Sequence, residues 1–200
     1  MKKIGIYGGT FNPPHIGHIN AARSFIGNVS LDKLIIMPSF IPPHKSYAGT
    51  ETALDRKEMC NIAFGDIEGV EVSDFEINRG GKSYTAITLT AFSSDDTELY
   101  FLCGTDMFIS LEMWYDFKTI FKLATICYIR RENEEVNTVL IKELTERYKE
   151  KYGARIISVP GEVVEISSSE LRECVKSGIG FEKFITPEVY DYICEKGLYK

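Results

Sequence analysis

The sequence lacks the cysteine spacings that mark metal sites and disulfide frameworks. Its five cysteines are scattered, odd in number and without a Cys-x-x-Cys pair. This distribution argues against a zinc ribbon and against the disulfide framework of a secreted protein. Cys103 and Cys127 lie in apolar, strand-like runs, and we expect both to be inert core residues.

Long apolar runs and an excess of positive charge are lacking as well. The apolar run near the start is far too short for a signal peptide or a membrane span, so we expect a cytoplasmic protein with no membrane partner. The formal net charge of −6 at pH 7 argues against bulk binding to nucleic acid, although a local basic pocket is compatible with it. The 200 residues, 44% of them hydrophobic, fit one globular domain over residues 1–200.

Three common catalytic and nucleotide-binding signatures are also missing. The sequence contains no Gly-x-x-x-x-Gly-Lys segment, no Gly-x-Gly-x-x-Gly after the first predicted strand and no nucleophile elbow. The first two absences argue against a P-loop ATPase and a dinucleotide-dependent dehydrogenase. The function must therefore be sought in other stretches of the chain.

One stretch near the start, residues 8–18, is rich in glycine, proline and histidine and reads Gly-Gly-Thr-Phe-Asn-Pro-Pro-His-Ile-Gly-His. It follows an apolar run at 4–7, typical of a short buried strand, and precedes 19–26, which predicts the body of a helix. Glycine lets the backbone approach a ligand, proline stiffens the turn, and the N-terminus of a helix presents unpaired N–H groups. The stretch therefore predicts a phosphate site between a strand and a helix.

Two of the three histidines in the chain, His15 and His18, lie inside this turn. If the helix has begun, the three-residue spacing places them on one face. Imidazole N–H groups in that position can stabilise charge that builds on phosphorus during a transfer reaction. The alternative is a pair of capping or core histidines beside an ordinary glycine turn. We favour the functional interpretation because both histidines share one short turn.

The rest of the chain alternates between strand-like and helix-like patterns. Strands are predicted at 34–37, 70–77, 98–103, 123–129 and 155–159, and helices at 52–64, 86–92, 136–152 and 187–196. We therefore predict an α/β fold in a single domain, with a Rossmann-like, doubly wound, mostly parallel sheet and helices on both faces. Arg56 and Lys57 are expected on the solvated face of their helix, and Ser83 or Thr85 is expected to cap the helix at 86–92.

Several polar or aromatic side chains follow predicted strands, where ligands bind in open α/β sheets. His44 and Lys45 are candidate anion contacts, or simply the basic tip of a solvated loop. Asp106, which follows Gly104, either accepts hydrogen bonds from ribose hydroxyl groups or caps the next helix. Trp114 is either a packing residue or an aromatic wall for a flat ring.

A second constellation lies in residues 166–172, Ile-Ser-Ser-Ser-Glu-Leu-Arg. Ser167 and Glu170 have the spacing of a capping box, which by itself indicates only a well-capped helix. Arg172, one turn into the helix, adds a cation to the serine hydroxyls and free N–H groups of the helix start. Together these groups are suited to hold the outer phosphates of ATP.

Both stretches resemble signatures of the nucleotidyltransferase superfamily. Residues 15–18 match its His-x-Gly-His signature, and residues 166–172 are similar to its Ile-Ser-Ser-Thr-x-Ile-Arg element, with Ser169 for Thr and Leu171 for Ile. The fuller match over 8–18 resembles the bacterial nicotinate-nucleotide adenylyltransferases, which more often have Asp at the position of Asn12. The resemblance extends over nearly the whole chain, with matched elements in order from Gly8 to Arg172.

The resemblance implies transfer of the adenylyl group of ATP to nicotinate mononucleotide, which gives nicotinate adenine dinucleotide and pyrophosphate, a step of NAD biosynthesis. It implies three catalytic residues, His15, His18 and Arg172. It implies ATP contacts from Gly8, Gly9, Thr10, Phe11, His15, His18, Gly104, Asp106, Ser167, Ser168 and Arg172. It implies contacts to the mononucleotide from Lys45, Tyr84, Thr85 and Trp114.

The implied reaction is consistent with the absence of a nucleophile elbow. A phosphate oxyanion is already deprotonated and pyrophosphate is a good leaving group, so positioning and charge stabilisation suffice. Mg²⁺ would be held mainly by the ATP phosphates and water, and no cluster of protein ligands is expected. The family usually has Arg-Pro-Gly where this chain has Arg131-Glu132-Asn133. A nucleotide contact from the Arg130-Arg131 loop is therefore open.

Other functions remain compatible with the same residues. The acceptor could be nicotinamide mononucleotide or phosphopantetheine. A third hypothesis is a nucleotide-sensing module without catalytic activity, although no expected catalytic side chain is missing. The sequence also leaves open whether the chain forms a homo-oligomer.

Overall fold

The computed structural model describes residues 1–43, 51–131, 138–161 and 167–199. The strands are β1 (Lys2–Gly9), β2 (Lys33–Pro38), β3 (Val70–Val72), β4 (Thr97–Gly104), β5 (Ala124–Arg131) and β6 (Ile156–Gly161). The helices are α1 (Ile16–Val29), α2 (Ala53–Phe64), α3 (Phe75–Arg79), α4 (Thr85–Phe92), α5 (Thr105–Ile109), α6 (Phe117–Leu123), α7 (Thr138–Tyr152), α8 (Ser168–Ser177) and α9 (Pro187–Lys196), with a 3₁₀ turn at Leu111–Met113.

The six strands form one sheet in the order β3-β2-β1-β4-β5-β6, and all five pairings are parallel. The predicted α/β fold with a parallel, doubly wound sheet is confirmed. The winding reverses between the neighbouring strands β1 and β4, which is where ligands bind in such sheets. Gly9 and Gly104 are the last residues of these strands. They therefore mark the edge of the sheet at which a ligand-binding site is expected.

Side chains alternate between the two faces of the sheet, and each face is covered by helices. Ile6 and Phe101 pack in one cluster with residues of α4, α6 and α7. Leu34 and Leu102 pack on the opposite face with residues of α1 and α2. Cys103 and Cys127 are buried, one in each cluster, as the sequence predicted.

A third apolar cluster joins the carboxyl-terminal part of the chain to α2. Met59 of α2 packs with Leu171 of α8, Ile193 of α9 and the aromatic ring of Tyr199. The last helix begins and ends as predicted, with Thr186 as its cap and Gly197 as its stop. This cluster places α8 and the end of the chain beside the carboxyl edge of the sheet.

Two local predictions are wrong. The strand predicted at 70–77 ends at Val72, the last position that pairs with β2. The Ser73 hydroxyl then accepts a hydrogen bond from the Phe75 backbone at 3.2 Å, and α3 follows. Neither Ser83 nor Thr85 caps α4: its N-cap residue is Tyr84, without a side-chain capping bond, because the Ser83 hydroxyl instead accepts from the Phe40 backbone at 2.9 Å.

None of the helices in the described ranges combines the length and the apolar composition needed to cross a membrane.

Candidate active site

The turn at residues 8–15 connects the end of β1 to the start of α1. The backbone N–H of Ser39 donates to the Gly9 carbonyl at 2.9 Å, which ties the turn to the segment after β2. Phe11 is buried and has a positive φ of 48°. A Cβ on Gly9 would come within 2.8 Å of the buried Phe11 ring, so any larger residue there would force this ring to move. Any contact between Phe11 and a ligand must therefore come from its backbone.

The two histidines form a reciprocal capping box at the start of α1. Nδ1 of His15 accepts from the Gly17 backbone, and Nδ1 of His18 accepts from the His15 backbone, both at 3.2 Å. The ring centroids are 3.8 Å apart, so the two rings lie side by side, although His15 is the extended N-cap residue and does not lie on a face of the helix itself. The capping alternative is also observed, because the same nitrogens hold the helix start.

This capping geometry fixes the tautomer of both neutral rings. Since each Nδ1 accepts a backbone N–H, the ring proton of a neutral imidazole must lie on Nε2. Burial lowers the pKa of His15 from 6.5 to about 4, so this ring is a neutral N–H donor near pH 7. On each neutral ring, Nε2–H is therefore the donor and Nδ1 is the acceptor.

The start of α8 lies against the same turn. The Ser168 hydroxyl donates to the Pro13 carbonyl at 3.2 Å, and the Arg172 guanidinium donates to the Asn12 carbonyl at 2.8 Å. Ser167 and Glu170 form the predicted capping box, and the hydrogen bond from Ser167 lowers the pKa of the Glu170 carboxyl group. The two motifs singled out in the sequence are thus adjacent in the fold.

Gly104 and Asp106 lie at the start of α5, directly after β4. Gly104 is the N-cap residue of α5, and no side-chain capping bond is formed there, so the capping role proposed for Asp106 is not observed. Asp106 lies in the first turn and is exposed. The neighbouring Thr105 hydroxyl donates to the Ile129 carbonyl at 3.0 Å and joins this segment to β5.

The residues predicted to bind the mononucleotide lie near the start of α4 and the 3₁₀ turn. The Tyr84 ring is 4.5 Å from the Tyr115 ring, and Thr85 is the first residue of α4. Trp114 packs edge-on against Phe101 with a centroid distance of 6.1 Å. Its indole N–H donates to Ser110 at 3.3 Å. The packing role of Trp114 is therefore observed, while its contact with a flat ring stays a prediction.

Four residues singled out in the sequence lie where the structure gives no side-chain description. His44 and Lys45 lie outside the described residues. The backbone of Arg130 and Arg131 belongs to β5 and pairs with β6, but their side chains are not among those described.

Sequence reasoning placed Arg56 on the wrong side of its helix. It is 1% exposed, and its guanidinium donates to the carbonyls of Thr10 at 2.7 Å and Ser39 at 2.6 Å. A signal was present in the sequence: Met59 and Cys60 follow Arg56 at spacings of three and four, which places all three on the buried face. Lys57 is partly buried and pairs with Asp74 at 2.9 Å.

Sequence reasoning also missed a set of polar contacts around Asn12. Its side-chain amide donates to Glu51 and accepts from the Tyr199 hydroxyl. Both partners are distant in sequence, so no local pattern indicates these contacts.

Within the described part of the chain, no group of three or more His, Cys, Asp or Glu side chains could hold a metal ion. The groups around the turn are imidazole and guanidinium N–H donors and serine hydroxyls, which suit anionic oxygens.

Comparison with known proteins gives consistent matches. The cytidylyltransferase-like family pattern matches residues 6–174. A protein of Caldicellulosiruptor saccharolyticus named probable nicotinate-nucleotide adenylyltransferase is 35% identical over 201 residues, with 99% of each chain covered. A Clostridium botulinum protein of the same name is 36% identical, with 100% of this chain and 99% of the relative covered.

Solved structures match the fold. The Plasmodium falciparum nicotinic acid mononucleotide adenylyltransferase complexed with NaAD superposes with a TM-score of 0.77 at 18% identity, covering 100% of this chain and 98% of that one. At that identity the likeness is one of fold.

Proposed function

Since the chain belongs to the cytidylyltransferase-like family, and to the nicotinate-nucleotide adenylyltransferases within it, we propose that it transfers the adenylyl group of ATP to nicotinate mononucleotide. The products are nicotinate adenine dinucleotide and pyrophosphate, a step of NAD biosynthesis. The observation that carries the proposal is the meeting of the helix starts of α1 and α8 at one glycine- and proline-rich turn.

The proposed reaction forms one bond and breaks one bond. A phosphate oxygen of the mononucleotide attacks the α-phosphorus of ATP, and the bond from that phosphorus to the bridging oxygen of the β-phosphate breaks. The attacking oxygen is already deprotonated and pyrophosphate takes the electron pair, so the protein needs neither a general base nor a nucleophile. Its contribution is to position the reactants and to stabilise charge at the transferred phosphorus.

His15 and His18 are the proposed donors to that charge. With both Nδ1 atoms occupied by backbone N–H groups, each ring directs its Nε2–H away from the helix start. The backbone of Gly8, Gly9 and Thr10 would accompany them along the phosphates. Because the donors are held by the fold before substrate binds, little reorganisation is needed as charge develops.

Arg172 is the proposed cation for the outer phosphates, with Ser167 and Ser168 at the same helix start. Its guanidinium now donates to the Asn12 and Ser168 carbonyls and to the Ser169 hydroxyl. We propose that it keeps the bond to Asn12 and gives its other N–H groups to phosphate oxygens, which are stronger acceptors than the Ser168 carbonyl and the Ser169 hydroxyl.

Mg²⁺ fits this donor set as an ion carried by ATP. The turn offers N–H groups and hydroxyls to oxygen anions, so the ion would be coordinated by phosphate oxygens and water. When bound, it neutralises part of the phosphate charge. Gly104 and Asp106 are the proposed contacts to the ATP ribose at the neighbouring strand end. Tyr84, Thr85, Trp114 and Lys45 are the proposed contacts to the mononucleotide.

The test is pyrophosphate release from ATP and Mg²⁺ with nicotinate mononucleotide, nicotinamide mononucleotide or phosphopantetheine in parallel. We expect release with the acid mononucleotide and much less with the other two. A preference for the amide mononucleotide or for phosphopantetheine would mean that this compound, and not nicotinate mononucleotide, is the acceptor. Tight ATP binding without release for any of the three would instead support a nucleotide-sensing module.

A further inference from the structure

Asn12 is the point at which three distant segments meet the phosphate turn. Its side-chain Nδ2 donates to Glu51, which precedes α2, and its Oδ1 accepts from the Tyr199 hydroxyl at 2.5 Å. Its backbone carbonyl accepts from Arg172 of α8 at 2.8 Å. Asn12, Glu51 and Tyr199 are all less than 9% exposed, so water does not compete effectively for these bonds.

In this chain, the two groups that contact the side chain at position 12, Glu51 and Tyr199, together require an amide there. A carboxylate only accepts, so Glu51 needs a donor opposite it, and the amide nitrogen supplies one. The amide oxygen is then directed at the Tyr199 hydroxyl, which donates. An Asp side chain could accept from Tyr199 but could not donate to Glu51 unless one of the two carboxyl groups held a proton.

Given the adenylyl transfer proposed above, on which this inference rests, we propose that Asn12 is a positioning residue. Its side chain, held between Glu51 and Tyr199, sets the direction of the backbone carbonyl on which Arg172 docks. Asn12 does not contact the reacting atoms. It acts through Arg172 and through the turn that carries the two histidines.

The surroundings of the Asn12–Glu51 pair include several other charged or titratable groups. Among the described residues these are Arg172 from α8, Arg56 from α2 through the Thr10 carbonyl, Tyr199 from the carboxyl-terminal segment, and His15 and His18 at the start of α1. The quantity to compare is therefore the ratio of variant to parent kcat. Both proteins contain the same surrounding groups, so their titration cancels in this ratio.

The first variant is Asn12→Asp, measured as kcat with saturating ATP and nicotinate mononucleotide. With two facing carboxylates the variant's kcat at pH 8 should be roughly tenfold or more below the parent value. The ratio of variant to parent kcat should rise as the pH falls, because one shared proton restores the missing donor. A ratio that does not change with pH would overturn the proposal.

The second variant, Asn12→Asp with Glu51→Gln, exchanges donor and acceptor between the two positions. The new carboxylate at position 12 then accepts from the new amide at position 51 and from Tyr199. We therefore expect kcat to return to within about threefold of the parent value and the ratio to lose its pH dependence. A double variant no better than the single one would contradict the pairing. Glu51→Gln alone keeps an acceptor and should stay close to the parent.

The matched control is Asn61→Asp. Asn61 donates to Glu58 at 2.9 Å on the exposed surface of α2, so the same substitution faces a carboxylate there, but in water. Its kcat ratio should be near one at every pH. If Asn12→Asp shows no cooperative unfolding transition, Tyr199→Phe replaces it: kcat should fall about fivefold for the loss of one buried hydrogen bond, and an unchanged kcat would overturn the proposal.

A failure of the proposed reaction is distinguishable from a failure of this inference. If the parent protein releases no pyrophosphate with any acceptor, the affinity for ATP and Mg²⁺ is measured by calorimetry instead. The ratio of affinities for Asn12→Asp and parent should show the same pH dependence and the same recovery in the double variant. If this ratio of affinities does not change with pH, the role of Asn12 is contradicted, whatever reaction the protein catalyses.

Discussion

The starts of α2 and α8 are built alike but present their arginines differently. Each begins with a reciprocal capping box, and each carries an arginine within its first turns that donates to a carbonyl of the same glycine-proline turn. Arg56 is fully buried and donates to Thr10, whereas Arg172 is partly exposed and donates to Asn12. The buried guanidinium of Arg56 holds the turn from inside the protein, while the partly exposed guanidinium of Arg172 is the one that we propose to bind phosphate.

The largest expected effect is the loss of stability in Arg56→Met. Removing this guanidinium leaves the buried Ser39 carbonyl and the partly buried carbonyls of Thr10 and Phe40 without this donor, and we expect the free energy of unfolding to fall by about 3 to 5 kcal/mol. Urea denaturation measures it. The control is Arg147→Met, at a surface ion pair, which should change it by less than about 1 kcal/mol. Equal losses of stability in the two variants would mean that burial of Arg56 does not increase its contribution to stability.

The same substitution at Arg172 should have the opposite effect, with a large loss of activity and a small loss of stability. We expect Arg172→Met to lower kcat/KM by about 10² to 10³ while changing the free energy of unfolding by about 1 kcal/mol. Steady-state kinetics and urea denaturation of the same samples provide both numbers. A variant that is strongly destabilised but fully active once folded would mean that Arg172, like Arg56, only holds the turn.

The turn between the two arginines should respond to pH through His15. Burial lowers its pKa from 6.5 to about 4, so the unfolded chain takes up the proton first as the pH falls. The contribution of this ring to stability is complete above about pH 6.5 and decreases towards pH 4, by about 3 kcal/mol in all. Denaturation between pH 7 and 4 measures it.

His15→Asn is the control for this pH effect. Asparagine retains a capping acceptor but does not titrate, so the slope of stability against pH should be smaller for the variant. If stability has the same dependence on pH in the variant and the parent, groups other than His15 cause the loss of stability in acid.

The smallest effects compare the two capping boxes directly. Thr52→Ala and Ser167→Ala should each lower the free energy of unfolding by about 1 kcal/mol, because each removes one acceptor at a helix start. Only Ser167→Ala should also raise the KM for ATP, since α8 is the proposed phosphate site. Ser177→Ala, at the other end of α8, is the control. A matching rise in KM for Thr52→Ala would mean that both helix starts serve the nucleotide equally.

The fold and the two motifs were accessible from the sequence because their signals are local. Hydrophobic patterns predicted five of the six strands with small errors at their ends. The third strand was extended too far, since pairing with β2 ends at Val72 while the apolar alternation continues. The sequence predicted Ser167 and Glu170 correctly because a capping box is a spacing of three residues, and Thr186 because a proline at the first helical position follows it.

The contacts that hold the site together were not accessible in this way. Asn12 meets Glu51, Tyr199 and Arg172 only after the sheet and the third apolar cluster have formed. Their spacing along the chain carries no periodic signal. Arg56 is the intermediate case, because its helical spacing to Met59 and Cys60 placed it on the buried face, while its charge favoured the opposite expectation.

The carboxyl-terminal cluster has a consequence for the timing of assembly during synthesis. The turn near the start of the chain obtains its partners from residues 155 to 187 positions later. Contacts at such separation close large loops and form late in folding. Before the ribosome has made residues 167–199, β1 and β2 can already pair, but the turn lacks Arg172 and Tyr199. A nascent chain should therefore gain its affinity for ATP in one late step, when residues 167–199 have emerged and packed on α2.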